Sequence, residues 1–240
     1  MNIAQKTILI TGANRGIGKA LVQEALRRGA KRVYAGTRGT LGITDERVTP
    51  LKLDVTSDEQ IEQAARTVLS LDVLINNSGV APFDDLSTPD AIEQALAVNL
   101  FGMYKVSRAF LPMLKHAKGA LVNNLSLVAL APLPMIPSYS ISKAAALSLT
   151  QSMRALLAAE NVSVHAVFLG PIDTDMNRGF DIPKASPGSA AEGIFDGIES
   201  EEEDIFPDPM SRSVANGWRD GVAKQFERQN ASFLPASVRV

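Results

Sequence analysis

The chain has no cysteine. That excludes disulfides, thiolate metal sites and a cysteine nucleophile, and it fits a reducing compartment. Histidine is nearly as scarce, with only His116 and His165. They are read as a helix-end residue and a strand residue, with no metal cluster for them to join. Neither sign of charge dominates, since 24 Lys and Arg stand against 26 Asp and Glu for a net charge of −2. Such a balance supplies no basic field for nucleic acid or an anionic membrane, so neither is expected as a partner. Long apolar runs are missing too. Nowhere do about eighteen apolar residues stand together to span a bilayer, and the run Ile8-Leu9-Ile10 is too short for a signal-peptide core. A cytoplasmic protein is expected. There is no internal repeat and no low-complexity linker, so a single domain over residues 1–240 is the expected organisation.

With 45% hydrophobic and 21% charged residues over 240 positions, the chain can bury one large core. Short β-rich runs near 6–11, 32–37, 50–53, 72–76, 119–125, 162–168 and 203–206 alternate with helical patterns. The helices are read near 16–29, 57–70, 88–117, 138–160, 187–199 and 212–231. This alternation predicts a doubly wound α/β fold, a mainly parallel sheet covered on both faces. Runs such as Val73-Leu74-Ile75 and Val162 to Phe168 are apolar almost throughout, as strands buried on both sides should be. Ligands in such sheets lie beyond the carboxyl ends of the strands, so the turns there deserve scrutiny.

The first of these turns is Thr11-Gly12-Ala13-Asn14-Arg15-Gly16-Ile17-Gly18. Its glycines permit a tight turn and close approach to a pyrophosphate, and the following helix offers free N–H groups and a positive dipole end. A dinucleotide site is the reading. The second strand ends on Thr37 and Arg38, where a ribose 2′-hydroxyl is usually held by an acid. Arg38, with Arg15 from the glycine turn, favours a 2′-phosphate, hence NADP(H) over NAD(H). Asp54 and Val55 after the third strand are placed to meet adenine, and Asn76-Asn77-Ser78-Gly79 ends the fourth. Asn99 interrupts an apolar helical face and needs a partner.

Ser126 ends the fifth strand, thirteen residues before Tyr139, and Lys143 follows Tyr139 by four, one helical turn. A neighbouring cation is expected to lower the cost of ionising that phenol.

In order and spacing, the glycine turn, Asn76-Asn77-Ser78-Gly79, Asn99, Ser126, Tyr139 and Lys143 resemble the short-chain dehydrogenase/reductase family. The resemblance spans residues 6 to about 176 and is to the short, single-domain form with an NADP(H)-preferring, carbonyl-reductase character. It implies a Rossmann fold with seven strands in the order 3-2-1-4-5-6-7. It also implies that Tyr139 is the general acid, that Ser126 holds the carbonyl oxygen, and that Lys143 binds the nicotinamide ribose. Asn99 would hold a water linking Lys143 to solvent. Gly170, Ile172 and Thr174 match a turn that binds the nicotinamide carboxamide, but Leu169 stands where the family usually has proline. A homodimer or homotetramer through helices 88–117 and 138–160 is implied by the same resemblance.

Apolar residues flanking the expected site, Val80, Leu127, Met135, Leu169 and Met176, with Phe83, Leu130, Leu133 and Ile136, suggest an aromatic or aliphatic ketone or aldehyde. A short lid about 176–190 suggests an open pocket, and Ser186-Pro187 reads as a helix cap and first-turn proline. Glu201-Glu202-Glu203-Asp204 reads as a solvated turn, and Trp218, Val222 and Phe226 as a packing stripe on an atypical C-terminal helix, 212–231. Two alternatives stand beside a carbonyl reductase. One is a 3-oxoacyl-acyl-carrier-protein reductase, which would want a basic docking patch such as Lys105, Arg108, Lys115 and Lys118. The other is a non-catalytic NADP(H)-binding regulator.

Overall fold

The computed structural model describes residues 1–233. Seven strands form one parallel sheet: β1 (Thr7–Thr11), β2 (Arg32–Thr37), β3 (Val48–Lys52), β4 (Val73–Asn76), β5 (Ala120–Asn124), β6 (Ser163–Val167) and β7 (Asp204–Ile205). Their order is 3-2-1-4-5-6-7, as the resemblance implies. The order reverses between β1 and β4, which pair at Ile8 with Val73 and Ile10 with Ile75. A crevice therefore opens at the carboxyl ends of these two strands, where the glycine turn and Asn77 leave the sheet.

Alternation along the strands divides the interior into two layers. Ile8, Ile10, Val33, Ala35, Val73, Ile75 and Val122 face one side, packed under α1 (Gly16–Arg27) and α6 (Pro187–Glu199). Leu9, Tyr34, Leu74, Leu121 and Val164 face the other. That side is covered by α2 (Asp58–Thr67), α4 (Met103–Ala117) and α5 (Pro137–Leu157). Edge strand β3 carries Pro50, tolerated there because its missing N–H breaks no central ladder. Ser57 and Ser186 cap α2 and α6 by accepting the N–H groups of Gln60 and Ser189, each cap worth about 1 kcal/mol.

The predicted helix at 88–117 is not uniform. It comprises α3 (Asp90–Leu96), a wider π turn over Ala97–Gly102, and then α4. The wide turn carries Asn99, which is fully buried. Gly102, in the same turn, lies against Val55, whose methyl would sit 2.7 Å from an added Cβ. The predicted helix at 212–231 is two helices, α7 (Pro209–Arg219) and α8 (Val222–Ala231), broken at Asp220-Gly221.

The expected Trp218, Val222 and Phe226 stripe is not a packing face. Trp218 lies against Phe168, with ring centroids 5.5 Å apart, but Val222 and Phe226 are exposed. Charge holds α8 in place instead. Lys224, 1% exposed, lies 2.8 Å from Asp204 and 3.0 Å from both Glu203 and Glu227. The acidic run is solvated at Glu201 and Glu203, as expected, but not at its end. Asp204 is buried in β7, takes a 2.8 Å ion pair from Arg154, and accepts the Trp218 indole N–H at 2.7 Å. These cations hold its carboxyl below the usual range against the opposing effect of burial.

Candidate active site

The glycine turn closes on itself by close backbone approach. Gly12 and Gly16 have φ of +66° and +51°, and a Cβ on Gly18 would stand 2.0 Å from the Gly12 carbonyl oxygen. Only glycine fits there. The helix α1 begins at Gly16 with no side-chain cap and no acid in its first turn, so its leading N–H groups face the turn. An anion fits this cradle on both geometry and dipole. Asn77 fastens it from beneath, donating its amide to the Thr11 and Gly12 carbonyls at 2.9 and 3.3 Å. The Thr11 hydroxyl accepts the N–H groups of Asn77 and Ser78, each at 2.9 Å.

Thr174 comes across from the far side of the crevice, its methyl 3.2 Å from where a Gly16 Cβ would be. The turn after β6 thus lies directly against the glycine turn. Asn14 lies beside Gly39, and the Thr37 hydroxyl accepts the Gly39 N–H at 3.0 Å, which fixes the start of the loop after β2. Ile17 packs partly buried against the core.

Both arginines expected at a 2′-phosphate are exposed, and each has an acid nearby. Arg38 lies 3.9 Å from Asp54, and Arg15 lies 3.5 Å from Asp175. The sequence reading, which counted no competing acid, missed these two. Asp54 is held low in pKa chiefly by the Thr56 N–H, with burial opposing and Arg38 assisting. Val55 is buried, its side chain committed to Gly102.

Not every predicted residue points into the crevice. Asn76 is buried and donates to Ser107 and Asn123, both at 2.9 Å, so its side chain belongs to an interior polar ladder. Leu169 and Ile172 are buried in the core layer under α6, which removes Leu169 as a pocket wall. Val80 and Leu127 are partly buried, while Met135 and Met176 are exposed. Phe83 stacks on Phe180, with centroids 5.5 Å apart. The lid region forms a short 3-10 turn, Asp175–Asn177, and a single bridge from Ile172 to Ala185.

Tyr139 and Lys143 lie on the first turns of α5, which begins at Pro137. Lys143 is 4% exposed and donates to the Asn124 carbonyl at 2.7 Å. Its Nζ lies 5.7 Å from the Tyr139 ring centroid. Burial pulls Lys143 down to about 8. Burial likewise pushes Tyr139 up to about 12, against the lowering influence of nearby Ser126. The expectation that Lys143 acidifies the phenol is therefore not met in this state. Desolvation outweighs a cation whose own bond goes to a carbonyl, and the phenol is held protonated.

Asn99 accepts the Val80 N–H and donates to the Val80 carbonyl, both at 2.9 Å, and donates to Ser142 at 2.8 Å. Its amide ties the loop after β4 to the helix bearing Tyr139. A water on Asn99 is left the second lone pair of its amide oxygen or its backbone. Asp84, unmarked in the sequence reading, makes a second tie. It accepts the Ser138 hydroxyl at 2.8 Å and the Ser138 N–H at 3.3 Å, at the uncapped start of α5. Asn124 is another omission, because its role lies in a main-chain carbonyl that no residue-type pattern reveals.

Among the described residues no cluster of His, Asp and Glu could hold a metal ion, and no helix is long and apolar enough to cross a membrane. Residues 6–184 match the family model described as short chain dehydrogenase. The chain is 34% identical over 202 residues to the short chain dehydrogenase pigC of Monascus ruber, covering 75% of this chain and 67% of that protein. It is 33% identical to rat estradiol 17-beta-dehydrogenase 2, covering 72% of this chain but only half of the relative's length. Among solved structures, a short chain dehydrogenase from Burkholderia cenocepacia in complex with NADP superposes with a TM-score of 0.87 at 35% identity, over 98% of this chain and all of that one. An NADPH-bound carbonyl reductase from chicken fatty liver has a TM-score of 0.73 at 26% identity, over 80% of this chain and 90% of that one. With the parallel sheet, the glycine cradle and the Ser126, Tyr139 and Lys143 cluster already in place, the match over residues 6–184 decides the matter: the chain belongs to the short-chain dehydrogenase family.

Proposed function

We propose that the protein is an NADPH-dependent carbonyl reductase, reversible as an alcohol dehydrogenase, acting on an apolar ketone or aldehyde. The observation that carries this reading is a buried Lys143 whose ammonium lies 5.7 Å from the Tyr139 ring, one helical turn away, at the open end of a glycine cradle that fits a pyrophosphate. When bound, NADPH supplies the hydride. Tyr139, held protonated by burial, gives its proton to the carbonyl oxygen. Ser126 holds that oxygen within reach of the phenol. Lys143, already desolvated, supplies a cation beside the phenolate that remains, and it would bind the nicotinamide ribose.

Gly12, Asn14, Arg15, Gly16, Ile17 and Gly18 are the proposed cradle for the pyrophosphate. Thr37, Arg38, Asp54 and Val55 take the adenosine end, Asn76 and Ser78 the floor, and Gly170, Ile172 and Thr174 the nicotinamide end. The NADP-bound relative at 35% identity supports the preference for a 2′-phosphate. Arg38→Asp should shift preference toward NADH, and an unchanged ratio of NADPH to NADH activity would remove that part of the reading.

A carrier-protein thioester is a weaker substrate, despite 32% identity to a 3-oxoacyl-[acyl-carrier-protein] reductase of Vibrio harveyi. Lys105 and Lys115 are occupied with Asp58 and Glu160, and the rim beside Phe83 carries Asp84, Asp85 and Asp90, which would repel an acidic carrier. Exposed Phe101, Tyr104 and Ile141 near the start of α4 and on α5 support a homo-oligomer through those helices.

Replacing Tyr139 by Phe tests the assignment. The variant should still bind NADPH but lose roughly 10²- to 10⁴-fold in NADPH oxidation with a panel of ketones. Undiminished turnover would end the enzyme reading.

A further inference from the structure

The peptide unit joining Leu169 to Gly170 is gripped at both ends. Its carbonyl accepts the Leu127 N–H at 2.9 Å, one residue beyond Ser126. Its N–H donates to the Asp208 carboxylate at 2.8 Å. Asp208 is 2% exposed and comes from 38 residues further along the chain. Its other oxygen accepts the Ser211 N–H at 3.0 Å, closing a capping box at the start of α7. The fit is close, for a Cβ on Gly170 would lie 2.5 Å from Asp208 Oδ1. The residue just before this bond is Leu169, whose φ is not locked as a proline's would be. Phe168, one residue earlier, is stacked on Phe206 at 5.0 Å and packed by Trp218, so the same C-terminal segment holds the strand end as well.

We propose that Asp208 is a positioning residue: its carboxylate fixes the turn Gly170–Thr174 against the nicotinamide end of the cofactor and ties that turn to α7. The restraint comes from a side chain distant in sequence, and it aligns the nicotinamide seat with the loop carrying Ser126. This rests on the proposed reading of that turn as the nicotinamide seat.

The two roles of Asp208 separate by variant. Asp208→Ser keeps an oxygen suited to cap α7 but is too short to reach Gly170 as well. Asp208→Asn keeps the size and one acceptor, so it should recover part of the loss. The measurement is affinity for NADPH against affinity for 2′-phospho-ADP-ribose, which lacks the nicotinamide, together with kcat and the thermal midpoint.

Asp208→Ser should weaken NADPH about tenfold or more and lower kcat, while 2′-phospho-ADP-ribose binds as before. A hydrogen bond to a charged group supports a change of that size. Equal weakening of both ligands, in Asp208→Ser or, should that variant not fold, in Asp208→Asn, would mean general structural damage and would overturn the proposal. Thr174→Ala in the same assay separates the failures. If Thr174→Ala also fails to distinguish the ligands, the turn is not the nicotinamide seat. If it does distinguish them while the Asp208 variants do not, only the role of Asp208 is lost.

Discussion

Two turns face each other across the crevice, one after β1 and one after β6, and they are built by contrasting means. The turn after β1 is held by what it lacks. Three glycines let the backbone fold within van der Waals reach of itself, and the Asn77 amide locks it from the neighbouring strand end. The turn after β6 is held by an imported group, the Asp208 carboxylate, whose segment is itself anchored by the buried charges around Asp204 and Lys224. The first turn depends on short-range sterics and the second on a long-range electrostatic assembly. They should therefore fail differently.

Gly18→Ala should do the greatest damage. Its new methyl would meet the Gly12 carbonyl at 2.0 Å, backbone against backbone, so a loss of about 4 kcal/mol or more is expected. NADPH titration and thermal unfolding should both show it; near-normal binding would mean the turn can relax in a way its closeness does not suggest.

Asp204→Asn should cost about 2–4 kcal/mol, because it leaves buried Lys224 and Arg154 short of a partner. It should spare 2′-phospho-ADP-ribose binding, which on the proposed reading belongs to the first turn. The sign of its pH dependence follows from a folded-state pKa below the unfolded value. The stabilisation is complete above the unfolded carboxylate pKa of about 4 and fades as pH falls through it and below. Unfolding midpoints from pH 6 to pH 3 should drop more steeply for the parent protein than for Asp204→Asn. Parallel curves would remove Asp204 from the account.

Asn77→Ala should have the smallest effect, weakening NADPH binding by about 1–2 kcal/mol, since it unties two carbonyls of the glycine turn at a half-buried site. NADPH affinity should fall with little change in thermal midpoint. The reverse result would make Asn77 a folding residue and blur the distinction between the two turns.

The sequence disclosed the first turn and hid the second for the same physical reason. Glycine spacing, strand periodicity and the Tyr139 to Lys143 interval are local patterns that a chain cannot carry without adopting local geometry. They disclosed the sheet and its seven strands, and they set Ser126 at a strand end and Tyr139 with Lys143 on the first turns of a helix, where the structure has them. Asp208 binding Gly170, Asp84 capping α5 and Lys224 entering an acidic pocket are contacts across 38, 54 and 20 or more positions. No periodicity encodes such distances. The sequence also misled wherever residue type implied exposure. Asp204 looked solvated because charge runs usually are, and Val222 and Phe226 looked like a core stripe because of their spacing. Tyr139 misled in another way, since spacing revealed its cation but not that burial would raise the phenol and lower the ammonium.

One aromatic contact has a mechanical consequence. The stacked rings of Phe83 and Phe180 join the loop after β4 to the segment beyond the 3-10 turn. An aromatic pair of this kind is worth about 1 kcal/mol. At 25 °C that is less than twice the thermal energy, so on this term alone the rings are parted roughly one-sixth of the time. The stack is thus a loose tie between the two segments, open often enough to leave each free to move without the other.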